Sequence, residues 1–192
     1  MARTYQLKRR AERQSETRQR IVEATVELHT TIGPARTSIL AIAERAGVER
    51  PTVYRHFPTT EALFTACTTH FREQHPPPNP ESWQQIREPE ARLRRALGEI
   101  YAYYAAHETA LWAVFRDFED MPELRRFSEH DMRHHQRMLD ALAAAWPGRT
   151  NAKLRAALGH ATDFFAWRSL RRSGLSNDEA VDLMAGLVQG AR

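Results

Sequence analysis

Apolar residues recur at three- and four-residue intervals along almost the whole chain, and this spacing constrains the fold more than any other feature of the sequence. Such intervals place side chains on one face of an α-helix, as Ile21, Thr25 and Leu28 illustrate. Strand signals are almost missing, since the sequence has no alternating apolar run of useful length and no Asn-Gly or Asp-Gly hairpin turn. The sequence therefore predicts an all-α fold.

Prolines and glycines divide the first part of the chain into short helical segments. The pair Gly33-Pro34 ends the first segment, and Gly47 follows the last apolar residue of the second, where a left-handed C-terminal cap is expected. Proline suits the first turn of a helix, so a third helix starts near Pro51. The predicted helices are a first one ending at residue 32, a second over 39–46 with Thr37 or Ser38 as N-cap, a short third over 51–57, and a fourth over 60–74.

A proline-rich segment over residues 75–80 separates this part from the rest of the chain. Such a segment cannot be helical, so we place a domain boundary there. The predicted domains are a basic N-terminal arm over 1–16, a small helical domain over 17–74, and a larger helical domain over 80–192. Further helices are predicted over 89–106, 109–118, 122–145 and 151–172, with a last one opened by a capping box at Ser176 and Glu179.

The positive charge of the chain lies in its first third. Residues 1–60 carry 11 lysines and arginines against 6 acidic residues, whereas residues 61–192 carry 17 against 18. A localised basic segment suits a polyanion, because neutralising phosphates releases counterions. A solubilising, disordered tail is an equally good interpretation of charge alone.

Several protein classes find no support in the sequence. Cys67 is the single cysteine, so an intrachain disulfide is impossible, which fits a reducing cytoplasm. The polar N-terminus predicts no secretory signal, and no apolar run reaches the roughly 20 residues of a membrane span. Glycine-rich phosphate loops, His-Glu-x-x-His motifs and nucleophile elbows are not found. We expect no enzyme activity, no metal and no cofactor.

The most informative stretch is residues 37–64, TSILAIAERAGVERPTVYRHFPTTEALF. Two short helices joined at a tight glycine turn have helix-turn-helix geometry, which places the second helix in the major groove of DNA. Val53 and Phe57, four residues apart, are expected to face inward. The side chains left outward are Arg50, Pro51, Thr52, Tyr54, Arg55 and His56. The alternative is a helical hairpin with a polar face turned to solvent.

The same stretch resembles the DNA-binding domain of tetracycline-repressor-like (TetR) regulators, over about residues 17–74. The resemblance is carried by T-S-x-x-x-I-A-x-x-A-G-V-x-x-x-T-V-Y-x-H-F-x-x-x-E-A-L-F, which agrees in register throughout. It implies a cytoplasmic homodimer that binds a palindromic double-stranded DNA operator, usually as a repressor released by a small-molecule ligand. It also implies nine or ten helices, the last two forming a dimeric four-helix bundle.

Site residues follow from the resemblance by position. It implies that Arg50, Pro51 and Thr52 face base edges and that Tyr54 and His56 contact phosphates or bases. Ser38 would anchor the DNA backbone, and Thr60 stands where related chains commonly have lysine, which weakens one phosphate contact. Leu40 either contacts a thymine methyl group or packs, and the basic arm is a further candidate for phosphate or minor-groove contacts.

The resemblance fades beyond residue 80, and the C-terminal domain is interpreted from its apolar patterns. The apolar faces of the last two helices predict a dimer interface, with an intrachain core as the alternative. The predicted interface residues are Leu158, Phe165, Val181, Met184, Leu187 and Val188. Aromatic and polar residues that mix on other helices are candidates for a ligand pocket of an unknown effector, although core packing explains such residues equally. These candidates are Tyr101, Tyr104, His107, Phe115, Phe118, Phe164 and Trp167.

Two other functions stay open at this stage. A helical-bundle enzyme or carrier would need a catalytic pair or a metal set and would leave the basic first third unexplained. The second is a regulator of the same fold that activates transcription or has no ligand. The sequence does not distinguish such a regulator from a ligand-released repressor.

Overall fold

The fold is known from a computed structural model that describes residues 2–117, 121, 129–146 and 151–191. Within these ranges the regular structure is entirely helical, as predicted. Two short 3-10 helices, Pro34–Arg36 and Pro80–Trp83, accompany the α-helices. The α-helices are α1 (Ala2–Thr31), α2 (Ile39–Ala46), α3 (Arg50–His56), α4 (Thr60–Gln74), α5 (Pro89–Ala106), α6 (Glu108–Phe115), α7 (Glu129–Ala143), α8 (Ala152–Ala161), α9 (Phe164–Arg172) and α10 (Asn177–Gln189).

Local capping residues set several helix ends where the sequence predicts them. The Ser38 hydroxyl accepts a hydrogen bond from the Ala41 amide at 3.1 Å, so Ser38 is the N-cap of α2. Gly47 ends α2 with φ of 62°, the left-handed conformation that glycine adopts without strain. Ser176 and Glu179 form the predicted capping box at the start of α10.

Two helices differ from the prediction. The first helix extends back to Ala2, so residues 2–16 continue α1. The segment predicted as one helix over 151–172 is two helices, α8 and α9, because Asp163 accepts a hydrogen bond from the Ala166 amide at 2.8 Å and starts a new helix. The predicted helix over 122–145 is described from Glu129 onward, and residues 122–128 lie outside the described ranges.

The chain forms two compact units. The first comprises residues 1–76 and 109–127, and the second comprises residues 77–108 and 128–192. The chain thus leaves the first unit in the proline-rich segment and returns to it at α6. No helix in the described ranges combines the length and the apolar character needed to cross a membrane.

The first unit is built around the apolar faces of α1 to α4. Its buried residues include Ile21 and Val22 of α1, Ile42 of α2, Val53 of α3 and Phe64 of α4. The end of α6 is tied to the turn after α1: the Asp117 carboxylate accepts a hydrogen bond from the Ala35 amide at 3.0 Å, and the Arg116 guanidinium donates to the Ile32 carbonyl. These bonds hold the end of α6 against the turn that follows α1.

His29 lies inside this unit, where its ring is 5.6 Å from the ring of Phe64. Burial lowers the pKa of His29 to about 4, although the nearby Asp117 carboxylate acts in the opposite direction. The Cys67 thiol lies 3.6 Å from His29 Nδ1, and burial raises the pKa of this thiol to about 12. His29 is therefore neutral in the folded chain at neutral pH, and Cys67 is an unreactive thiol of the core.

The histidine predicts a pH dependence of stability. Because the pKa of His29 is lower in the folded chain than in the unfolded one, stability is full above about pH 6.5 and falls as the pH drops toward 4. We expect His29 to account for a loss of about 2 kcal/mol in the free energy of unfolding between pH 7 and pH 5. Urea unfolding of the native chain and His29→Gln at both pH values measures it, with the exposed His160→Gln as control. Equal pH dependence of the native chain and His29→Gln would contradict a buried neutral imidazole.

The second unit has a core of aromatic and apolar residues on α5, α8, α9 and α10. Two of its aromatic residues are hydrogen-bonded inside it: Tyr101 Oη donates to the Ala161 carbonyl at 2.8 Å, and Trp167 Nε1 donates to Asn177 Oδ1 at 3.1 Å. The buried guanidinium of Arg92 donates to three main-chain carbonyls, those of Gln84, Ile86 and Ala141. This arginine therefore contributes to the structure of the unit with its hydrogen-bonding capacity largely used.

Candidate nucleic-acid interface

The candidate interface is the surface of α3, which follows α2 across the turn at Gly47. As predicted, Val53 and Phe57 face inward and are buried with Ile42 and Ala46 of α2. Only seven residues long, α3 is too short to be stable alone, so this packing is what holds it. The inward anchors fix which side chains of α3 face solvent.

The outward surface of α3 carries the six predicted residues. Arg50, Pro51, Tyr54 and Arg55 are exposed, whereas Thr52 and His56 are half-buried. Arg50 Nη2 donates to Tyr54 Oη at 3.0 Å, and the Arg50 guanidinium lies 5.5 Å from the centre of the Tyr54 ring. Arg55 Nη2 lies 3.4 Å from Thr52 Oγ1. Two arginines and three further polar groups thus share one short helical surface.

His56 carries no positive charge at neutral pH. Its pKa is lowered by partial burial, and the neighbouring cations of Arg55 and Arg18 add to this effect. A neutral imidazole can still donate one hydrogen bond and accept another, so His56 suits a contact to a phosphate or a base edge.

The other two predicted contact residues, Ser38 and Thr60, lie at the N-termini of α2 and α4. The Ser38 oxygen already accepts the cap bond from Ala41, and its hydroxyl proton is left to donate to an acceptor such as phosphate. Thr59 caps α4 by accepting from the Ala62 amide at 3.1 Å, and Thr60 is the first exposed residue of that helix. Thr59 is not among the residues predicted from sequence, although a threonine directly before a helix is a signal for an N-cap.

Arg18 also lies beside the surface of α3, although it is not among the contact residues predicted from sequence. Its guanidinium lies 4.7 Å from the centre of the Phe57 ring, at the C-terminal end of α3, and it contributes to the lowered pKa of His56. The helical period offered a signal, because Arg18 precedes Ile21 by three residues and Thr25 by seven, which places it on the same face of α1. Arg18 therefore adds positive charge beside the end of α3.

The predicted pocket residues lie in different parts of the molecule. In the second unit the rings of Tyr104 and Phe164 are 5.3 Å apart, and each lies within 6 Å of the Trp167 ring. Tyr101 joins this aromatic cluster through Trp167 at 6.4 Å, and the His107 ring lies 4.8 Å from the Tyr103 ring at a tilted angle. Phe115 belongs to the first unit, and Phe118 lies outside the described residues.

The hydroxyl groups of the aromatic cluster are engaged inside the chain. Tyr104 Oη donates to the Thr162 carbonyl at 2.7 Å, as Tyr101 Oη does to that of Ala161. Burial raises the pKa of both tyrosines, so the two hydroxyls stay protonated. The cluster has the bonding of a packed core, and any ligand contact must use the ring faces or displace these bonds.

The predicted dimer residues divide into two groups. Leu158, Val181, Met184 and Val188 are buried in the core of the second unit, which corrects the expectation that they face a partner chain. Phe165 and Leu187 are 45% and 54% exposed, as is Leu183 at 45%. The buried group faces the other helices of the same chain because α8 and α5 cover that side of α10. Phe165, Leu183 and Leu187 are named the exposed apolar strip below.

Residues 21–67 match the family described as bacterial regulatory proteins, tetR family, a range that contains α2, α3 and the candidate interface. A comparison with curated proteins gives no match.

Solved structures of regulators share the fold. A TetR-like transcriptional regulator from Rhodococcus sp. RHA1 is 20% identical, with 90% of this chain and 93% of that chain covered and a TM-score of 0.62. NalD, the secondary repressor of the MexAB-OprM multidrug efflux pump in Pseudomonas aeruginosa, is 21% identical, with 94% and 97% covered and a TM-score of 0.63. FadR from Bacillus subtilis, solved with stearoyl-CoA, is 15% identical, with 90% and 96% covered and a TM-score of 0.57.

The superposition on these structures shows the fold over nearly the whole chain, and the family match indicates the type of its N-terminal domain. Residues 21–67 are similar to the helix-turn-helix domain of the tetR family of bacterial regulatory proteins, and the chain as a whole has the fold of TetR-like transcriptional regulators.

Proposed function

We propose that the chain is a homodimeric repressor that binds a palindromic DNA operator and is released from it by a small-molecule effector. It would act in the cytoplasm as a regulator and not as an enzyme. The observation that carries the proposal is the outward surface of α3, where Arg50, Tyr54 and Arg55 are exposed on a helix anchored by Val53 and Phe57. Such a helix can enter the major groove, where base edges carry a distinct pattern of donors and acceptors.

Each group on α3 has a suitable partner on DNA. The Arg50 guanidinium can bind O6 and N7 of a guanine together, and the Pro51 ring or the Thr52 methyl can contact a thymine methyl. Tyr54, Arg55 and His56 can bind phosphates, as can Ser38 and Thr60 at the N-termini of α2 and α4. Arg50 and Tyr54 are held together before binding, which supports a shared role on one base pair and its phosphate.

The homodimer is proposed to form through the exposed apolar strip on α9 and α10. Leu183 and Leu187 lie four residues apart on one face of α10, and Phe165 is exposed on α9. Large exposed apolar side chains of this kind favour burial against a second copy of the chain. Between Leu183 and Leu187, Gly186 has no described atom within 4 Å of the position that a Cβ would take, so a partner helix could approach closely there. A two-fold dimer presents two α3 helices to a two-fold operator.

The effector is proposed to bind in the second unit. NalD is described as a repressor of an efflux pump and FadR was solved with stearoyl-CoA, so chains of this fold include repressors and ligand-binding members. In the present chain the aromatic cluster of Tyr104, Phe164 and Trp167 is the candidate wall, with His107 near the end of α5. A ligand that contacts these rings would be largely apolar.

The first experiment is selection of the purified chain against a random duplex library at near-physiological salt, followed by sequencing. Enrichment of a palindrome whose half-sites lie about one helical turn apart would support both the DNA specificity and the dimer. Binding that is sensitive to salt and shows no enriched sequence would contradict an operator-specific regulator. An enriched palindrome then becomes the probe for effectors that release the chain.

The role of Arg50 gives a separate prediction. Arg50→Ala should weaken binding to the enriched operator by roughly 1–3 kcal/mol and relax the preference at one base position, because a bidentate contact to guanine is lost. Fluorescence anisotropy with operator duplexes substituted at each position measures both effects. Arg172→Ala, which removes the same charge from an exposed site in the second unit, is the control. Equal losses on operator and random DNA would reassign Arg50 to a phosphate.

A further inference from the structure

The N-terminal half of α1 is a solvent-exposed helix without a packing role in the first unit. The main-chain course is helical from Ala2 to Thr31 without a break, and the Thr17 hydroxyl donates to the Arg13 carbonyl at 2.8 Å within it. Buried residues of α1 start at Ile21, whereas the described side chains of residues 5–20 are exposed, with Thr17 half-buried. Residues 2–17 alone extend over roughly 24 Å at 1.5 Å per residue. This segment is named the α1 extension.

The charge of this region is strongly positive. Residues 2–20 contain seven lysines and arginines against the two glutamates Glu12 and Glu16. Among the described residues, no ion pair involves Lys8, Arg9 or Arg10, and none involves Arg13, Arg18 or Arg20. Long cationic side chains that form no ion pair are available for an external polyanion.

The base of the α1 extension lies at the candidate interface. Arg18 is stacked on Phe57, the residue that ends α3, and it acts on the pKa of His56. Arg20 Nη1 is 3.8 Å from the position that a Cβ on Gly47 would take, which places it beside the turn between α2 and α3. A duplex bound by α3 therefore meets the cationic residues where the α1 extension starts.

We propose that the α1 extension is a second DNA-binding surface, which contacts the phosphate backbone while α3 contacts bases. This inference rests on the proposed function, because it assumes that DNA is bound at α3. It adds a DNA-binding role for the α1 extension, which is not part of the helix-turn-helix. A membrane surface is disfavoured, because an interfacial helix needs a broad apolar face and residues 8–20 of α1 contain no apolar residue larger than alanine. Phosphate contacts made by arginines carry no base preference, so this surface would raise affinity without changing the operator sequence.

The test is the triple variant Arg9→Gln, Arg10→Gln and Arg13→Gln, which retains helix-forming residues at each position. Its control is Lys153→Gln, Arg155→Gln and Arg172→Gln, which removes the same charge from exposed sites of the second unit. Circular dichroism checks that both variants keep the helical content of the native chain. Affinity is measured against salt concentration on the enriched operator and on a random duplex of equal length.

If all three arginines contact phosphates, the slope of log affinity against log salt should fall by about 2.7, at about 0.9 per contact. The difference in affinity between 50 mM and 200 mM salt would then be smaller by about 40-fold than for the native chain. We expect the slope to fall by the same amount on the random duplex. We also expect the triple variant to enrich the same operator sequence as the native chain. A control triple that keeps the native slope would exclude an effect of net charge alone.

An unchanged slope on both duplexes, or an equal change in the control triple, would overturn the proposal. Failure of this proposal can be distinguished from failure of the proposed operator function. If the native chain enriches a palindrome but the slope does not change, the operator function stands and the α1 extension has no role in it. If no palindrome is enriched but the slope on random duplex falls, the α1 extension binds DNA and the operator function fails.

Discussion

Leu187→Glu is expected to give a folded chain that no longer dimerises and that binds the operator at least 100-fold more weakly. Leu187 is 54% exposed, so a charge there costs the single chain little, whereas the same charge buried between two copies would be unpaired. A dimer binds its second half-site as an intramolecular event, and the gain from such linkage is typically 10²–10⁴-fold. Loss of the dimer removes this gain.

Sedimentation and anisotropy at matched concentrations measure the two parts of the prediction. The control is Met132→Glu on α7, since Met132 is 55% exposed and lies outside the exposed apolar strip. The control should remain dimeric with native operator affinity. A Leu187→Glu chain that stays dimeric at the concentrations used for binding would rule out this interface.

Gly33→Ala is expected to lower the free energy of unfolding by roughly 3–5 kcal/mol. Gly33 has φ of 94° and ψ of 156°, a backbone conformation that is almost exclusive to glycine. A Cβ at this position would clash with Asp117 Oδ2 and would lie 2.8 Å from the Ala113 carbonyl oxygen. The carbonyl belongs to the main chain of α6 and cannot move aside as the end of a side chain can.

Gly174→Ala separates the two causes, because Gly174 has the same φ of 94° while no described atom lies within 4 Å of the position of its Cβ. We expect this variant to lose about 1–2 kcal/mol from backbone conformation alone. Urea unfolding of both variants gives the difference, which is the contribution of the contact with α6. If the two variants lost the same free energy of unfolding, α6 would not pack against Gly33. That result would also contradict the hydrogen bond from the Ala35 amide to Asp117.

The chain's own sequence determined the parts of the fold that depend on neighbours along the chain. The Ser38 cap, the left-handed Gly47 and the capping box of Ser176 and Glu179 each involve residues no more than five apart, so their residue types specify the geometry directly. The inward positions of Val53 and Phe57 follow from helical periodicity, and the outward set of α3 follows from them. For this reason the residues of the candidate interface could be chosen from sequence.

Apolar spacing along the sequence does not reveal a helix end that falls inside a continuous apolar pattern. The apolar spacing of residues 151–172 runs through Thr162 and Asp163, and it predicts one helix where the chain forms two. Asp163 was available as a capping residue, but an aspartate inside an apolar period is also compatible with a surface position. The cap bond to the Ala166 amide decides between them, and it is seen only in the folded chain.

The tertiary structure alone decided which partner covers each apolar face. The helical spacing of Met184 and Leu187 predicts that both lie on the same apolar face of α10. In the folded chain Met184 is buried, whereas Leu187 is exposed. It also decided the contacts between distant residues, such as Arg18 on Phe57 and the Asp117 carboxylate at the Ala35 amide, 82 residues apart. A helical repeat fixes the direction of a side chain relative to its own axis, but the neighbour it meets depends on how the helices pack, which no local pattern encodes.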